Sequence, residues 1–289
     1  MKKINILSIF SGCGGWDLPF SLDNNFKIVG AFDNWNHAID IYKDNISKNC
    51  FNVDLLKNVP KYNNIDILIG SPSCTAYSKL GKRESINSIQ GQSIYAFINV
   101  LKENKPMYFF MEQVLDFLDF DVSEEFFNRI SDLGYSLDMH EVVMNDYGVS
   151  QKRKRLFVFG SRDKSFNKMK LDKSNNNAMI LNDILENNPK IDKSRYYNES
   201  FNSGRLDYHK ELDLNKVCNT ITSSFYDQYF INKDNFKRRL SVRELARIQS
   251  FPDSFQFNKR KNLRATIQVI ANSVPPLFSN TVKQSFLNA

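Results

Sequence analysis

INILSIFSGCGGWDL (4–18) and FKIVGAFD (26–33) are the two stretches on which the fold turns. The first opens as a short apolar, β-branched run, the composition of a buried strand, and breaks into a turn carrying Gly12, Gly14 and Gly15. Residues without a β-carbon let a ligand approach the backbone there. The second run ends on Asp33, roughly 20 residues after the turn, where nucleotide-binding folds place a carboxylate that receives ribose hydroxyls. Together they predict an adenosine-containing cofactor. A glycine turn followed by a plain capping aspartate accounts for the same residues equally well.

Further apolar runs follow at IDILIG (65–70), MYFFM (107–111), LDMHEVVM (137–144) and LFVFG (156–160). Between them lie stretches with helical spacing: HAIDIYKDN after Asp33, SIYAFINVLKEN from 93, and SEEFFNRISDLG, which Ser123 can cap and Gly134 can end. This alternation predicts an α/β protein with a doubly wound, mainly parallel sheet and ligands at the strand C-terminal ends. After Gly160 the pattern changes. Residues 161–235 are rich in Asn, Lys, Asp and Ser, with a helical patch at 178–187 and a strand-like segment at 216–225, and read as a small inserted or appended domain. Periodicity returns at LSVRELARIQSFP (240–252), a helix capped by Ser241 with Glu244 completing a capping box, and a last helix follows VPPLFSNTV.

The 289 residues allow one large domain or two modest ones, and 42% hydrophobic with 25% charged residues excludes disordered, collagen-like and membrane classes. With 39 Lys+Arg against 32 Asp+Glu, the net charge of +7 favours an anionic partner. Cys13, Cys50, Cys74 and Cys218 form no CxxC pair and have no neighbouring His, so neither a metal site nor a disulfide framework is expected, and the thiols are expected reduced. The N-terminal apolar run is too short for a signal-peptide core or a membrane span, which predicts a cytoplasmic protein.

Three groups can carry chemistry. Cys74 follows a strand in GSPSCTAYS, stiffened by Pro72, with Lys79, Lys82 and Arg83 close behind to favour a thiolate; an inert buried thiol is the plain alternative. Glu112 ends MYFFM at the same sheet edge, where a buried acid favours its protonated form and can donate to a ring nitrogen; a salt-bridged or capping glutamate is the alternative. In QKRKR (151–155), alternation puts Gln151, Arg153 and Arg155 on one face and Lys152 and Lys154 on the other, although such runs are commonly solvated edges.

In this order the elements resemble the cytosine-5 DNA methyltransferases over nearly the whole chain. LSIFSGCGG resembles the family's cofactor loop, and AFDNWNHAIDIYKDN its second motif, with Asp33, Ala38, Tyr42 and Asn45 at the expected intervals. Asp54 resembles the acid that holds the adenine amino group, GSPSCTAYS the nucleophile loop, MEQV the Glu-Asn-Val motif and YGVSQKRKRLFVFG the Gln-x-Arg-x-Arg motif. RRLSVRELARIQSFPDSF and IANSVPPLF resemble the two closing motifs. The resemblance implies a Rossmann-like methyltransferase fold with a small target-recognition domain, S-adenosylmethionine as cofactor and S-adenosylhomocysteine as product. It implies Cys74 as the thiolate that adds to carbon 6 of cytosine, Glu112 at the ring nitrogen and Arg155, supported by Arg153, at the carbonyl oxygen. Phe10, Gly12, Gly14, Asp33, Asp54 and Asn272 are the cofactor residues carried over, and the target base is flipped into the pocket.

Four positions depart from the family pattern. Ser73 stands in place of the proline before the nucleophile, Thr75 of glutamine, Gln113 of asparagine and Ala271 of glycine, which bears on loop stiffness and on the orientation of Glu112. The resemblance divides the chain into a catalytic and cofactor domain at 1–188, a target-recognition domain at 189–264 and a returning segment at 265–289. NTITS (219–223) resembles the segment resting on the DNA backbone, so Thr220, Gln151, Arg238 and Arg239 are expected at nucleic acid. Lys237, Arg243, Arg247, Lys259, Arg260, Lys261 and Arg264 add positive charge for phosphates. The implied partner is double-stranded DNA met by a monomer in the nucleoid, either as a modification enzyme with a cognate restriction endonuclease as companion or as an orphan enzyme without one. An RNA (tRNA) cytosine-5 methyltransferase and a catalytically dead nucleic-acid-binding homologue remain the alternatives.

Overall fold

In the computed structural model, β1 (Ile4–Ile9) lies at the centre of the fold because its side chains alternate between two apolar layers. Leu7 and Ile9 enter one core and Ile6 the opposite one. The structure describes residues 2–73, 76–77, 88, 91–175, 177–187, 189, 210–223, 229–233, 236–257 and 262–289. The chain turns through α1 (Leu18–Ser21) into β2 (Phe26–Asp33), α2 (Asn36–Asn45) and β3 (Cys50–Asn52), all on one side of β1. It then returns as β4 (Ile67–Gly70) on the other side, followed by α3 (Ser93–Asn104) and β5 (Tyr108–Gln113). This reversal of direction at β1 opens a crevice at the C-terminal ends of β1 and β4.

Helix α4 (Asp121–Asp132) leads to β6 (Ser136–Val143), the two-residue β7 (Gln151–Lys152) and β8 (Lys154–Ser161). The seven-stranded order is β3-β2-β1-β4-β5-β8-β6, parallel except that β8 runs antiparallel to both neighbours. The expected doubly wound, mainly parallel sheet is therefore the one observed. In β5 and β8 the period-2 rule recurs: Phe109, Met111, Leu156 and Val158 join the first core, Phe110, Phe157 and Phe159 the other.

Among the described residues there follow α5 (Leu181–Ile184), β9 (Lys210–Glu211), β10 (Cys218–Asn219), β11 (Tyr229–Lys233), β12 (Phe236–Arg238), α6 (Val242–Ile248), α7 (Leu263–Asn272) and α8 (Pro276–Leu287). Leu245, Ile248 and Phe251 share a third core with Cys13, Leu18, Ala38 and Ile41, so the segment around α6 packs directly on the glycine-turn side of the sheet. Among the described residues, no helix is long and apolar enough to cross a membrane.

Several local expectations change. Helix α4 starts at Asp121, and Ser123 lies inside it without capping; Phe120, in extended conformation and packed 5.3 Å from the Tyr77 ring, marks its start instead. Gly134 does follow the helix end, at φ 84. The patch at 178–187 is helical only over Leu181–Ile184, because Leu181 and Asn182 donate their N–H groups to Lys216 and Leu214 carbonyls rather than along a helix. Of the strand-like 216–225, residues 216–223 are described, and among them the strand covers Cys218–Asn219, parallel to Gln151–Lys152. Neither β3 nor α7 was evident from the sequence.

The Ser241 capping box forms as expected, yet Glu244 does more than cap. Fully buried, it receives a two-pronged ion pair from Arg238 at 2.7 and 2.8 Å, while the Ser241 N–H donates to it at 2.7 Å. Arg238, expected at a phosphate, is buried and committed to this pair. Removing one partner of a buried pair strands the other charge, so Arg238→Ala should cost about 3–5 kcal/mol of stability in chemical denaturation. A small loss accompanied by a flatter salt dependence of DNA binding would return Arg238 to the phosphate role.

Candidate active site

A cleft of about 220 Å³ opens at the C-terminal ends of β1, β2, β4 and β5, where the crossover predicts it. Phe10, Gly12, Asp33, Glu112, Arg153 and Asn272 line it, six of the residues expected from the sequence. Phe10 leaves β1 with φ 51, a left-handed conformation that is costly for a residue with a side chain and is characteristic of functional turns. Gly12 follows at φ 54, and a β-carbon placed there would meet nothing within 4 Å: it faces open space above the turn. Gly14 differs. A β-carbon there would collide with Ile46 and Tyr42 at 2.8 and 2.9 Å, so this glycine serves packing under the turn and does not line the cleft.

Asp33 holds the turn in place. Its Oδ2 accepts the Gly12 N–H at 2.8 Å and its Oδ1 the Trp35 N–H at 2.9 Å. Burial raises its carboxyl above the usual range, against the lowering effect of these N–H donors. Asp54 lies outside the cleft lining: its carboxylate accepts the Leu56 N–H at 3.1 Å and pairs with Lys57 at 3.2 Å. The preceding Val53 N–H donates to the Asp33 carbonyl at 2.9 Å, which brings Asp54 next to that strand end. An open-faced glycine beside an acceptor carboxylate fits a nucleoside with vicinal hydroxyls, the part of S-adenosylmethionine such a turn would cradle.

Across the cleft, Glu112 is 6% exposed and meets two guanidinium groups. Arg155 Nε lies 2.9 Å from Glu112 Oε1, and Arg153 Nη2 lies 3.9 Å from the same oxygen. The alternation read from QKRKR holds: Gln151 and Arg153 are buried and Lys152 and Lys154 exposed. Arg153 also donates to the Ala271 carbonyl at 2.8 Å, tying the start of β8 to the end of α7. Cys74 and Thr75 lie outside the described residues, as do Lys79, Lys82, Arg83, Lys259, Arg260 and Lys261. Pro72 and Ser73, immediately before Cys74, line the cleft. Burial pushes the thiols of Cys13, Cys50 and Cys218 up to about 12, which removes all three as nucleophiles near neutral pH.

The expected nucleic-acid residues divide. Gln151 is fully buried and hydrogen-bonds Gln249 and the Ile221 N–H, so it joins β7 to α6 and to the 218–221 segment. Thr220 sits beside it, its hydroxyl donating to the Lys152 carbonyl. Arg243 and Arg247 are occupied by the Phe255 carbonyl and by Asp253, whereas Lys237 and Arg264 are exposed. Asp17, Trp16 and Trp35 also line the cleft and were not singled out from the sequence. The order Gly-Gly-Trp-Asp carries no local sign that Asp17 is buried under the turn.

The sequence profile of the C-5 cytosine-specific DNA methylases matches residues 4–213 and 203–287. The chain is 30% identical to the type II methyltransferase M.MthTI of Methanothermobacter thermautotrophicus, with 94% of each chain covered. It is 29% identical to M.HindV of Haemophilus influenzae, covering 98% of this chain and 96% of that one. The S. pombe Dnmt2 methyltransferase superposes with a TM-score of 0.81 at 19% identity, over 99% of this chain and 98% of that one, and shares the fold. The chain belongs to the C-5 cytosine-specific DNA methylase family. By that membership it is a DNA (cytosine-5-)-methyltransferase.

Asp17 generates a pH prediction. Its carboxyl, buried beneath the turn and bonded by the Tyr42 hydroxyl at 2.8 Å, is pushed up to about 6 by desolvation. The native state thus holds a proton that the unfolded chain releases near pH 4. The associated stability is complete below about pH 4 and is lost as pH rises to about 6. Asp17→Asn, which keeps an acceptor for Tyr42 and cannot ionise, should gain on the wild type by up to about 3 kcal/mol over that window and no further above it. Urea unfolding across pH 4 to 8 measures this, and a pH-independent difference would contradict it.

Proposed function

We propose that the protein transfers a methyl group from S-adenosylmethionine to carbon 5 of cytosine in double-stranded DNA, through a transient bond from Cys74 to carbon 6. The observation that supports this best is the convergence on one cleft of the glycine turn, Asp33, Glu112, Arg153 and the Pro72–Ser73 peptide leading into Cys74. S-adenosylmethionine, when bound, supplies an electrophilic methyl carbon and leaves as S-adenosylhomocysteine. Asp33 receives the ribose hydroxyls, Phe10 and Gly12 bound the nucleoside, and Asn272 closes the rim from α7. Asp54, beside Asp33, is proposed for the adenine amino group after exchanging its contact with Lys57.

Carbon 5 of cytosine is a weak nucleophile until a thiolate adds to carbon 6 and turns the ring into an enamine. Cys74 makes that addition. Glu112 holds and protonates the ring nitrogen as charge develops, and Arg155 and Arg153 stabilise the carbonyl oxygen. Once carbon 5 has taken the methyl group, its proton passes to solvent water, the carbon 6–sulfur bond breaks to release the Cys74 thiolate, and the ring nitrogen returns its proton to Glu112, restoring the ring. The chemistry calls for a flipped base, since carbon 6 of a cytosine stacked in a duplex is out of reach of a thiolate.

Residues 189–264 are proposed as the target-recognition unit. Thr220 and Arg239 contact the DNA backbone, while Gln151 and Arg238 support these contacts from inside the protein. The type II methyltransferase names of M.HindV and M.MthTI favour a modification enzyme. Action in the cytoplasm at the nucleoid, as a monomer, alone or beside a cognate restriction endonuclease, belongs to the same proposal. DNA containing 5-fluorocytosine should trap a covalent adduct on Cys74, because fluorine cannot leave carbon 5 as a proton does. Cys74→Ser should abolish the adduct. Mass spectrometry that maps it to Cys13, or finds it undiminished in the serine variant, would refute the assignment.

A further inference from the structure

Two buried polar atoms on consecutive residues of the cleft wall are left unpaired by the fold. Asp17 accepts the Tyr42 hydroxyl through Oδ2 at 2.8 Å and has the Ser8 hydroxyl as its other polar neighbour. Its Oδ1 has no hydrogen-bond partner among the described residues, and neither has the indole Nε1 of Trp16. Both side chains are buried, and both residues line the cleft. A buried donor or acceptor without a partner costs the fold its desolvation, so such atoms call for an explanation. Burial raises the Asp17 carboxyl only to about 6, which leaves it ionised at neutral pH.

A carboxylate oxygen and an indole N–H want opposite partners, a cation that donates and an anion that accepts. The α-amino acid end of S-adenosylmethionine carries both, as an ammonium and a carboxylate. Asp33, proposed for the ribose hydroxyls, lines the same cleft and holds Gly12, in the turn that runs on into Trp16 and Asp17. We propose that Asp17 receives the α-ammonium group of the cofactor on Oδ1. The inference rests on S-adenosylmethionine being the cofactor. It also gives a reason for an acid at position 17, where asparagine would keep the Tyr42 contact and spare the free protein a buried charge: the ligand supplies the missing counter-charge.

The test is calorimetry at pH 7.5 with two ligands, S-adenosylhomocysteine and its deamino analogue, in which hydrogen replaces the α-amino group. Neither has a sulfonium, so the ammonium is the one positive charge that differs between them. The wild type should bind S-adenosylhomocysteine about tenfold more tightly than the analogue, the worth of one charge-assisted hydrogen bond. Asp17→Asn should weaken S-adenosylhomocysteine about tenfold and leave the analogue unchanged, so that the two ligands bind this variant alike. Equal binding of both ligands by the wild type would overturn the proposal without recourse to any variant. An unchanged S-adenosylhomocysteine affinity in Asp17→Asn would overturn it as well. The same loss for both ligands would assign the carboxyl to holding the glycine turn or a buried water, and overturn it too. Failure of the wild type to bind S-adenosylhomocysteine at all would instead overturn the cofactor reading and this proposal with it.

Discussion

Three segments of the cleft hang on one residue, Asp33. Its two carboxylate oxygens accept the N–H groups of Gly12 and Trp35, and its carbonyl accepts the N–H of Val53. The glycine turn after β1, the start of α2 and the chain leaving β3 are thereby fixed to the end of β2. Phe10 holds left-handed backbone, which is costly for a residue with a side chain and which the surrounding structure enforces. The Asp33 bond to Gly12 acts there together with the Ser11 N–H and hydroxyl, which both donate to the Phe32 carbonyl.

The antiparallel β8 supplies the other wall. Because β8 runs against β5, its first residues lie at the same sheet edge as the last residues of β5, which brings Arg153 and Arg155 to Glu112. An all-parallel neighbour would have put its N-terminus at the opposite edge. Arg153 then carries the arrangement to α7 through the Ala271 carbonyl, and Gln151 carries it to α6. The buried Arg238–Glu244 pair locks the start of α6 in the same way. Basic residues that suggest phosphate contacts thus divide into an internal framework and an exposed remainder.

Local pattern made much of this legible in the sequence. The strands containing 4–9, 26–33 and 154–161, the helices at 36–45 and 93–104, and the Ser241 capping box follow from periodicity and cap chemistry, which act over a few residues. The common face of Gln151, Arg153 and Arg155 follows from strand alternation. Hidden from the sequence were facts decided across long separations. That Arg238 pairs with Glu244, that Gly14 packs against Tyr42 and Ile46, and that Asp17 is buried under the turn depend on which segments the fold brings together. The strand Cys50–Asn52 is too short to show a period, and the patch at 178–187 lost its helix to hydrogen bonds with residues 214–216. In both, tertiary pairing outweighed local propensity.

Methyl transfer itself tests the account most directly. The protein is incubated with methyl-labelled S-adenosylmethionine and, separately, with duplex DNA and with tRNA, and each product is digested to nucleosides and resolved by chromatography. The account predicts label in 5-methyl-2′-deoxycytidine from the DNA. Label confined to 5-methylcytidine from the tRNA, or found in neither digest, would contradict it.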